Sequence, residues 1–173
     1  MIKYSLEERI AIYANPFENQ FVQVFKQGNA IVFKHLIRSD NSADYSIVLE
    51  VATAFAIGTN NCVYILPEIN ANEKAFRQRI GLNINNGRTP DIMLNAGVFI
   101  DVKSPKVERK LSKNAGKASR QSAIVCITDH RMQMDERRLD EYCNRIFSNA
   151  NYEYSEIYFY INGHLSKRTK ANP

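Results

Sequence analysis

The stretch Thr89-Pro90-Asp91-Ile92-Met93-Leu94-Asn95-Ala96-Gly97-Val98-Phe99-Ile100-Asp101-Val102-Lys103 constrains this chain more than any other. Ile92 and Leu94 alternate with polar or less apolar neighbours, and so do Val98, Ile100 and Val102. Period-two alternation marks half-buried strands. Asn95-Ala96-Gly97 suits a three-residue turn with Gly97 at positive φ. The spacing therefore predicts a β-hairpin. Leu94 closes the turn against Val98, Met93 faces Phe99, Ile92 faces Ile100 and Asp91 faces Asp101. Pro90 holds Thr89 extended, which fixes the strand entry. One face of the hairpin is aliphatic. The other carries two carboxylates and, two residues beyond Asp101 on the same face, the Lys103 ammonium.

Like charges directly opposed across a strand pair, about 5 Å apart, are destabilising. Around a divalent cation they become favourable, because the ion takes oxygens from one or two carboxylates and completes its shell with water and substrate phosphate. Asp91 and Asp101 are thus candidate ligands for Mg2+ or Mn2+. Lys103 is a candidate to hold a phosphate oxygen or help activate water. The competing reading is a surface hairpin with Asp101 and Lys103 as an exposed pair.

The flanking sequence supplies the rest of an α+β domain. Ser5-Leu6-Glu7-Glu8 spells a capping box, and Asn15-Pro16 stops the helix it starts. Phe21 to Phe25 and Ala30 to Leu36 read as a hairpin around Gln27-Gly28-Asn29. Residues 1–40 look like a scaffold extension, with His35 a strand histidine more than a ligand. From Ala43 to Ile57, Tyr45, Val48, Leu49, Ala52, Phe55 and Ala56 form a helical stripe, and Gly58 is the expected end. Glu50 is the only charge between Asp44 and that end. It is either a solvated wedge or a site residue. Val63 to Leu66 is a short strand. The polar stretch from Ile69 to Arg88 brings Lys74, Arg77, Arg79 and Arg88 ahead of the central hairpin, and loops of that length are often functional. Ser104-Pro105 is a helix start. On a helix from there, Lys106, Lys110, Lys113, Lys117 and Arg120 form one basic stripe against a narrower apolar one of Val107, Leu111, Ala115 and Ala118. Gly116 weakens that helix by about 1 kcal/mol against alanine. Ala123 to Ile127 is a strand, Asp135 caps a helix to about Phe147, and Asn162-Gly163 turns a final hairpin. The expected core includes Ile65, Ile92, Leu94, Val98, Ile100, Val102, Val125 and Ile127.

The chain has 173 residues, enough for one domain with a real core, and 24% of them are charged. The formal net charge of +5 suits an anionic partner such as nucleic acid. Cys62, Cys126 and Cys143 lack CxxC spacing and sit in apolar runs, as buried thiols of a reducing, cytoplasmic compartment do. No apolar run has membrane length. Walker, GxGxxG, HExxH and nucleophile-elbow patterns are absent.

A helix with Glu50, a strand, a strand entered by Pro90-Asp91, a strand with Asp101-Val102-Lys103, a helix and a strand: this order over residues 43–128 resembles the PD-(D/E)XK nuclease superfamily. The resemblance implies a restriction-endonuclease-like fold, a mixed sheet flanked by helices. It also implies Asp91 and Asp101 as metal ligands, Lys103 as the catalytic lysine and Glu50 as the helix acid. Residues 129–173 would add a C-terminal helix and hairpin. More broadly, Ile65-Leu66-Pro67-Glu68, Thr89-Pro90-Asp91, Asp101-Val102-Lys103-Ser104-Pro105 and Ala118-Ser119-Arg120-Gln121-Ser122-Ala123 look like C-terminal nuclease domains of contact-dependent inhibition toxins and of phage or mobile elements. That likeness implies nucleic-acid contacts along Arg88, Lys106, Lys110, Lys113, Lys117, Arg120 and Gln121, and a cognate immunity or inhibitor protein as partner. Some such toxins are metal-independent ribonucleases. For those, Lys103, Arg120, Ser122, Thr128 and His130 would be the candidates. A non-catalytic nucleic-acid-binding accessory protein is the third reading.

Overall fold

The computed structural model describes residues 4–70, 72–81, 89–95, 97–119, 122, 124–149, 151, 152, 154 and 156–170. Helix α1 (Leu6–Ala14) starts on the expected capping box. The Glu8 N–H donates to Ser5 Oγ at 3.2 Å, and the Ser5 N–H donates to Glu8 Oε2 at 2.6 Å. Strands β1 (Phe21–Gln27) and β2 (Ala30–His35) form the first hairpin. Helix α2 (Tyr45–Thr59) buries Ile47, Val48, Val51, Ala52, Phe55 and Ala56. It runs through Gly58, where the sequence predicts an end, and stops at Asn60, whose left-handed φ of 52° makes the C-cap. Asparagine tolerates that conformation better than other side chains. Then come β3 (Cys62–Ile65), the short α3 (Lys74–Arg79), β4 (Ile92–Leu94) and β5 (Val98–Lys103). They are followed by α4 (Leu111–Ala118), β6 (Ile124–Thr128), α5 (Leu139–Phe147), β7 (Glu156–Ile161) and β8 (His164–Thr169).

All eight strands join one mixed sheet in sequence order, so the class is α+β with helices on both faces. The β1–β2 hairpin belongs to this sheet through the parallel β2–β3 pairing, Val32 beside Val63. The central hairpin has the predicted register: Ile92 opposite Ile100, Met93 opposite Phe99, Leu94 opposite Val98. Strands β5, β6 and β7 are parallel, and β7 and β8 close the edge antiparallel. Of the expected core, Ile65, Ile92, Ile100, Val125 and Ile127 are buried, and Leu94 and Val102 are partly so. Val98 is 38% exposed because it lies at the tip of the hairpin, beyond the reach of α2.

Alternation sorts the sheet into two faces. Helix α2 covers Val32, Val63, Ile65, Ile92, Ile100 and Cys126. On the opposite face, α4 and α5 cover Val125, Ile127, Ile157 and Phe159. The β2–α2–β3 and β5–α4–β6 connections step the same way along the sheet over opposite faces. They therefore have opposite hands, a departure from the usual uniform right-handedness. The chain leaves the ends of β2 and β5 toward opposite faces, and a crevice lies beside the C-terminal end of β5 and the start of α2. Among the described residues, no helix is long and apolar enough to cross a membrane.

Candidate functional site

Asp91 sits one residue before β4 and is wired into the crevice by its main chain. Its N–H donates to the Ile100 carbonyl at 3.2 Å, and its carbonyl accepts from the Leu66 N–H at 2.9 Å. Its carboxylate reaches across to β5, where Oδ2 accepts the Val102 N–H at 2.8 Å. This bond clamps the carboxylate against the neighbour of Asp101. Asp101 is only 1% exposed, and its carboxylate pairs with the Lys103 ammonium. The exposed-pair reading of the hairpin is thereby excluded.

Burial dominates the electrostatics. It pushes the Asp101 proton affinity up, the charge of Asp91 adds to it, and the Lys103 ammonium only partly offsets it, leaving Asp101 at about 8. Burial likewise raises Asp91, against the pull of Lys103, Arg38 and the Val102 N–H. The two carboxyls titrate as a pair, so the protons belong to the pair and not to one residue.

Two residues outside the predicted site join this group. Arg38, 4% exposed, follows β2. Its guanidinium reaches Asp44 Oδ1 at 3.1 Å and Glu68 Oε1 at 3.2 Å, tying the loops after β2 and β3 to the start of α2. Asp44 occupies the N-cap position of α2 but makes no cap hydrogen bond, since its carboxylate goes to Arg38. Its charge reaches Asp91 and raises that carboxyl further. A cleft of about 200 Å³ opens beside this group. The first turn of α2 forms one wall with Asp44, Ile47 and Val48, the end of β5 forms another with Val102, Lys103 and Ser104, and Asn114 of α4 and Arg131 after β6 complete the rim.

Glu50 is not brought to this group. It lies exposed in the second turn of α2, about 9 Å along the axis from Asp44 at 1.5 Å per residue, and its charge acts on Tyr160 of β7. Asp44 is the acid of this helix that approaches the pair. The basic stripe is also rearranged. No helix starts at Ser104-Pro105: Val107 is extended, residues Glu108–Lys110 make a 3-10 turn, and α4 begins at Leu111. Glu108 is held by Arg138 at 2.9 Å and by Arg145 at 3.2 Å from α5, which anchors the turn. Lys106 therefore lies off the helix, while Lys110, Lys113 and Lys117 stay exposed on the side opposite Leu111, Ala115 and Ala118. Arg88, Arg120 and Gln121 fall outside the described residues.

The ribonuclease candidates are dispersed in their environments. His130 is exposed, whereas Ser122 is buried with its hydroxyl donating to the Phe99 carbonyl. His35 is buried and structural: Nδ1 accepts the Ile37 N–H at 3.2 Å and Nε2 faces Gln20 Oε1 at 3.3 Å. Burial holds its proton affinity down at about 4. The three cysteines are free, and burial pushes the Cys143 thiol up to about 12.

For a metal, Asp91 and Asp101 fit as a two-carboxylate donor set. Among the described residues no group of three or more His, Cys, Asp or Glu side chains converges on one point. Magnesium, which keeps several waters and takes one or two carboxylates plus phosphate oxygens, suits such a set better than calcium or zinc.

No protein-family model matches the chain, and no curated protein matches it. Among solved structures, a chain of the "CdiA-CT/CdiI toxin and immunity complex from Burkholderia pseudomallei" is similar at 14% identity and a TM-score of 0.48, over 76% of this chain and 90% of that chain. A likeness at that level carries no argument about fold or function.

Proposed function

We propose that the protein is a metal-dependent endonuclease that hydrolyses phosphodiester bonds of DNA or RNA, with Asp91, Asp101 and Lys103 at its catalytic centre. The observation that carries this reading is the buried carboxyl pair beside one lysine, at the mouth of a crevice. Burying two carboxyls against each other costs stability, and strongly perturbed groups in a cleft cluster at functional sites. The order α2–β3–β4–β5–α4–β6, with the short α3 inserted between β3 and β4, follows the element order that the nuclease resemblance implies and supports the reading.

Asp91 and Asp101 would hold Mg2+ or Mn2+, which supplies a Lewis acid for the phosphoryl oxygen and a water acidic enough to attack. The protein's own part is positional and electrostatic. The Val102 N–H fixes the orientation of Asp91. The Lys103 ammonium, paired with Asp101 in this structure, turns to the phosphate once that carboxylate is engaged, and offsets charge building on its oxygens. Asp44, set by Arg38, takes the place that the resemblance gave to Glu50. Lys106, Lys110, Lys113 and Lys117 grip flanking phosphates. The likeness of the sequence to toxin nuclease domains gives the setting: a growth-inhibiting nuclease neutralised by a cognate immunity protein.

The test is incubation of the purified protein with plasmid, single-stranded DNA and total tRNA, with magnesium, with manganese and with chelator. Cleavage that needs the metal and disappears in Asp101→Asn supports the reading. RNA cleavage in chelator would replace it with a metal-independent ribonuclease, and binding without cleavage would replace it with an accessory protein.

A further inference from the structure

The cleft beside the carboxyl pair is chemically mixed in a way a bare phosphate site is not. Ile47, Val48 and Val102 give it an aliphatic wall. Asn114 and Ser104 can donate and accept, Arg131 can donate, and the Asp44 carboxylate accepts. The Ser104 hydroxyl is buried and makes no hydrogen bond among the described residues. Buried polar groups without partners call for an occupant that supplies them.

Lys103 and Arg131 can hold a phosphate, but a phosphate alone would leave the aliphatic wall unused. A nucleobase uses all of it: a flat apolar face for the wall, and edge donors and acceptors for Asp44, Asn114, Ser104 and Arg131. The size agrees. About 200 Å³ lies below the ~300 Å³ at which drug-sized pockets begin, room for one base and not for a stacked pair. The position agrees as well. Val102 and Lys103 line the cleft and directly follow Asp101, so it lies within one nucleotide of a phosphate at the carboxyl pair. A base paired inside a duplex cannot reach such a pocket.

We infer, resting on the nuclease reading above, that this cleft takes one unstacked base of a single-stranded substrate next to the bond to be cut. The probes are fluorescent thymidine and uridine 12-mers, the corresponding blunt duplexes, and an abasic 12-mer that keeps the sugar–phosphate chain. Anisotropy titrations are run in chelator and with calcium. The single strands should bind at least tenfold more tightly than the duplexes and the abasic strand. Asn114→Ala and Arg131→Ala should shrink the preference over the abasic strand toward one, with the abasic affinity of Asn114→Ala unchanged and thermal melts confirming that both variants fold. Equal affinity for all three classes of probe overturns the inference and leaves the nuclease reading standing. Absence of binding to every probe overturns the nuclease reading, and the inference with it. A preference for single strands that both variants retain in full overturns the assignment to this cleft.

Discussion

The carboxyl pair makes metal binding a proton-releasing event. Burial and the Asp91 charge hold a proton on Asp101 up to about pH 8. A divalent ion engages the ionised carboxylates, so it must expel that proton. Both carboxyls are raised, so the apparent affinity falls as the pH is lowered, by up to about tenfold per pH unit for each proton the pair must release. Calorimetric titration with manganese, repeated in two buffers of different ionisation enthalpy, reads the slope and the proton count together. More protons should leave per ion at pH 6 than at pH 9.

The same group fixes the sign of stability. Its folded proton affinity, about 8, lies above the ordinary ~3.9 of an unfolded aspartate. The metal-free fold is therefore favoured by this group below about pH 4 and loses that advantage as the pH rises through 8, at up to about 1.4 kcal/mol per pH unit. Asp101→Asn should flatten that decline and reduce the proton release, leaving only what Asp91 contributes. Manganese affinity that is constant from pH 6 to 8, or an Asp101→Asn variant that binds the ion with unchanged affinity, would refute the reasoning.

Replacing Lys110, Lys113 and Lys117 with glutamine should flatten the salt dependence of nucleic-acid binding by roughly one unit of log slope per lost phosphate contact, and an unchanged slope would make this an ordinary solvated face. Gly116→Ala should destabilise, because a Cβ there would lie 2.4 Å from the Tyr152 hydroxyl. In a Tyr152→Ala background the same change should instead stabilise by about 0.5–1 kcal/mol through helix propensity, a reversal that a double-mutant cycle in urea detects. Arg38→Met should lower stability by about 1–3 kcal/mol, modest because both partner carboxylates are well exposed, at 46% and 68%. It should also shift the pH at which manganese binds upward, since Arg38 pulls the Asp91 proton affinity down. Induced expression in a bacterial host should arrest growth for the wild type and not for Asp101→Asn; equal growth would detach the protein from the toxin setting.

The parts of this site that were legible in the sequence are those set by local chemistry. The hairpin register followed from period-two alternation and a turn with glycine in it, and Asp91 and Asp101 came together as a consequence. The capping box at Ser5 and Glu8 behaved likewise. What was illegible depends on partners distant in sequence. Asp44 has no predicted role in the sequence, and only the buried Arg38 shows where its carboxylate goes. Glu50 stood out as a lone charge on an apolar helix, yet an exposed edge of α2 suffices to explain it. The signal that could have redirected attention is the cluster of charges Arg38, Asp40 and Asp44 at a strand-to-helix junction. The delayed start of α4 was hidden for the same reason, because Glu108 is captured from α5 by Arg138 and Arg145.

The opposite hands of the two crossovers bear on why these residues can act together. Had α2 and α4 covered the same face, Asp44 and Asn114 would both approach the strand ends from one side, and the other side would stay bare. With α2 on one face and α4 on the other, the end of β5 is flanked on both. Asp101 and Lys103 point toward the α4 face, and Val102 and Ser104 toward the α2 face. One short strand thus serves both the acidic pair and the mixed cleft, whose lining comes from α2, the end of β5 and Asn114 of α4. Lys103 touches both, paired with Asp101 and lining the cleft. A substrate strand crossing the end of β5 would meet charge chemistry and base recognition within one nucleotide. Lys103 is then the residue through which occupation of the cleft can alter the carboxyl pair.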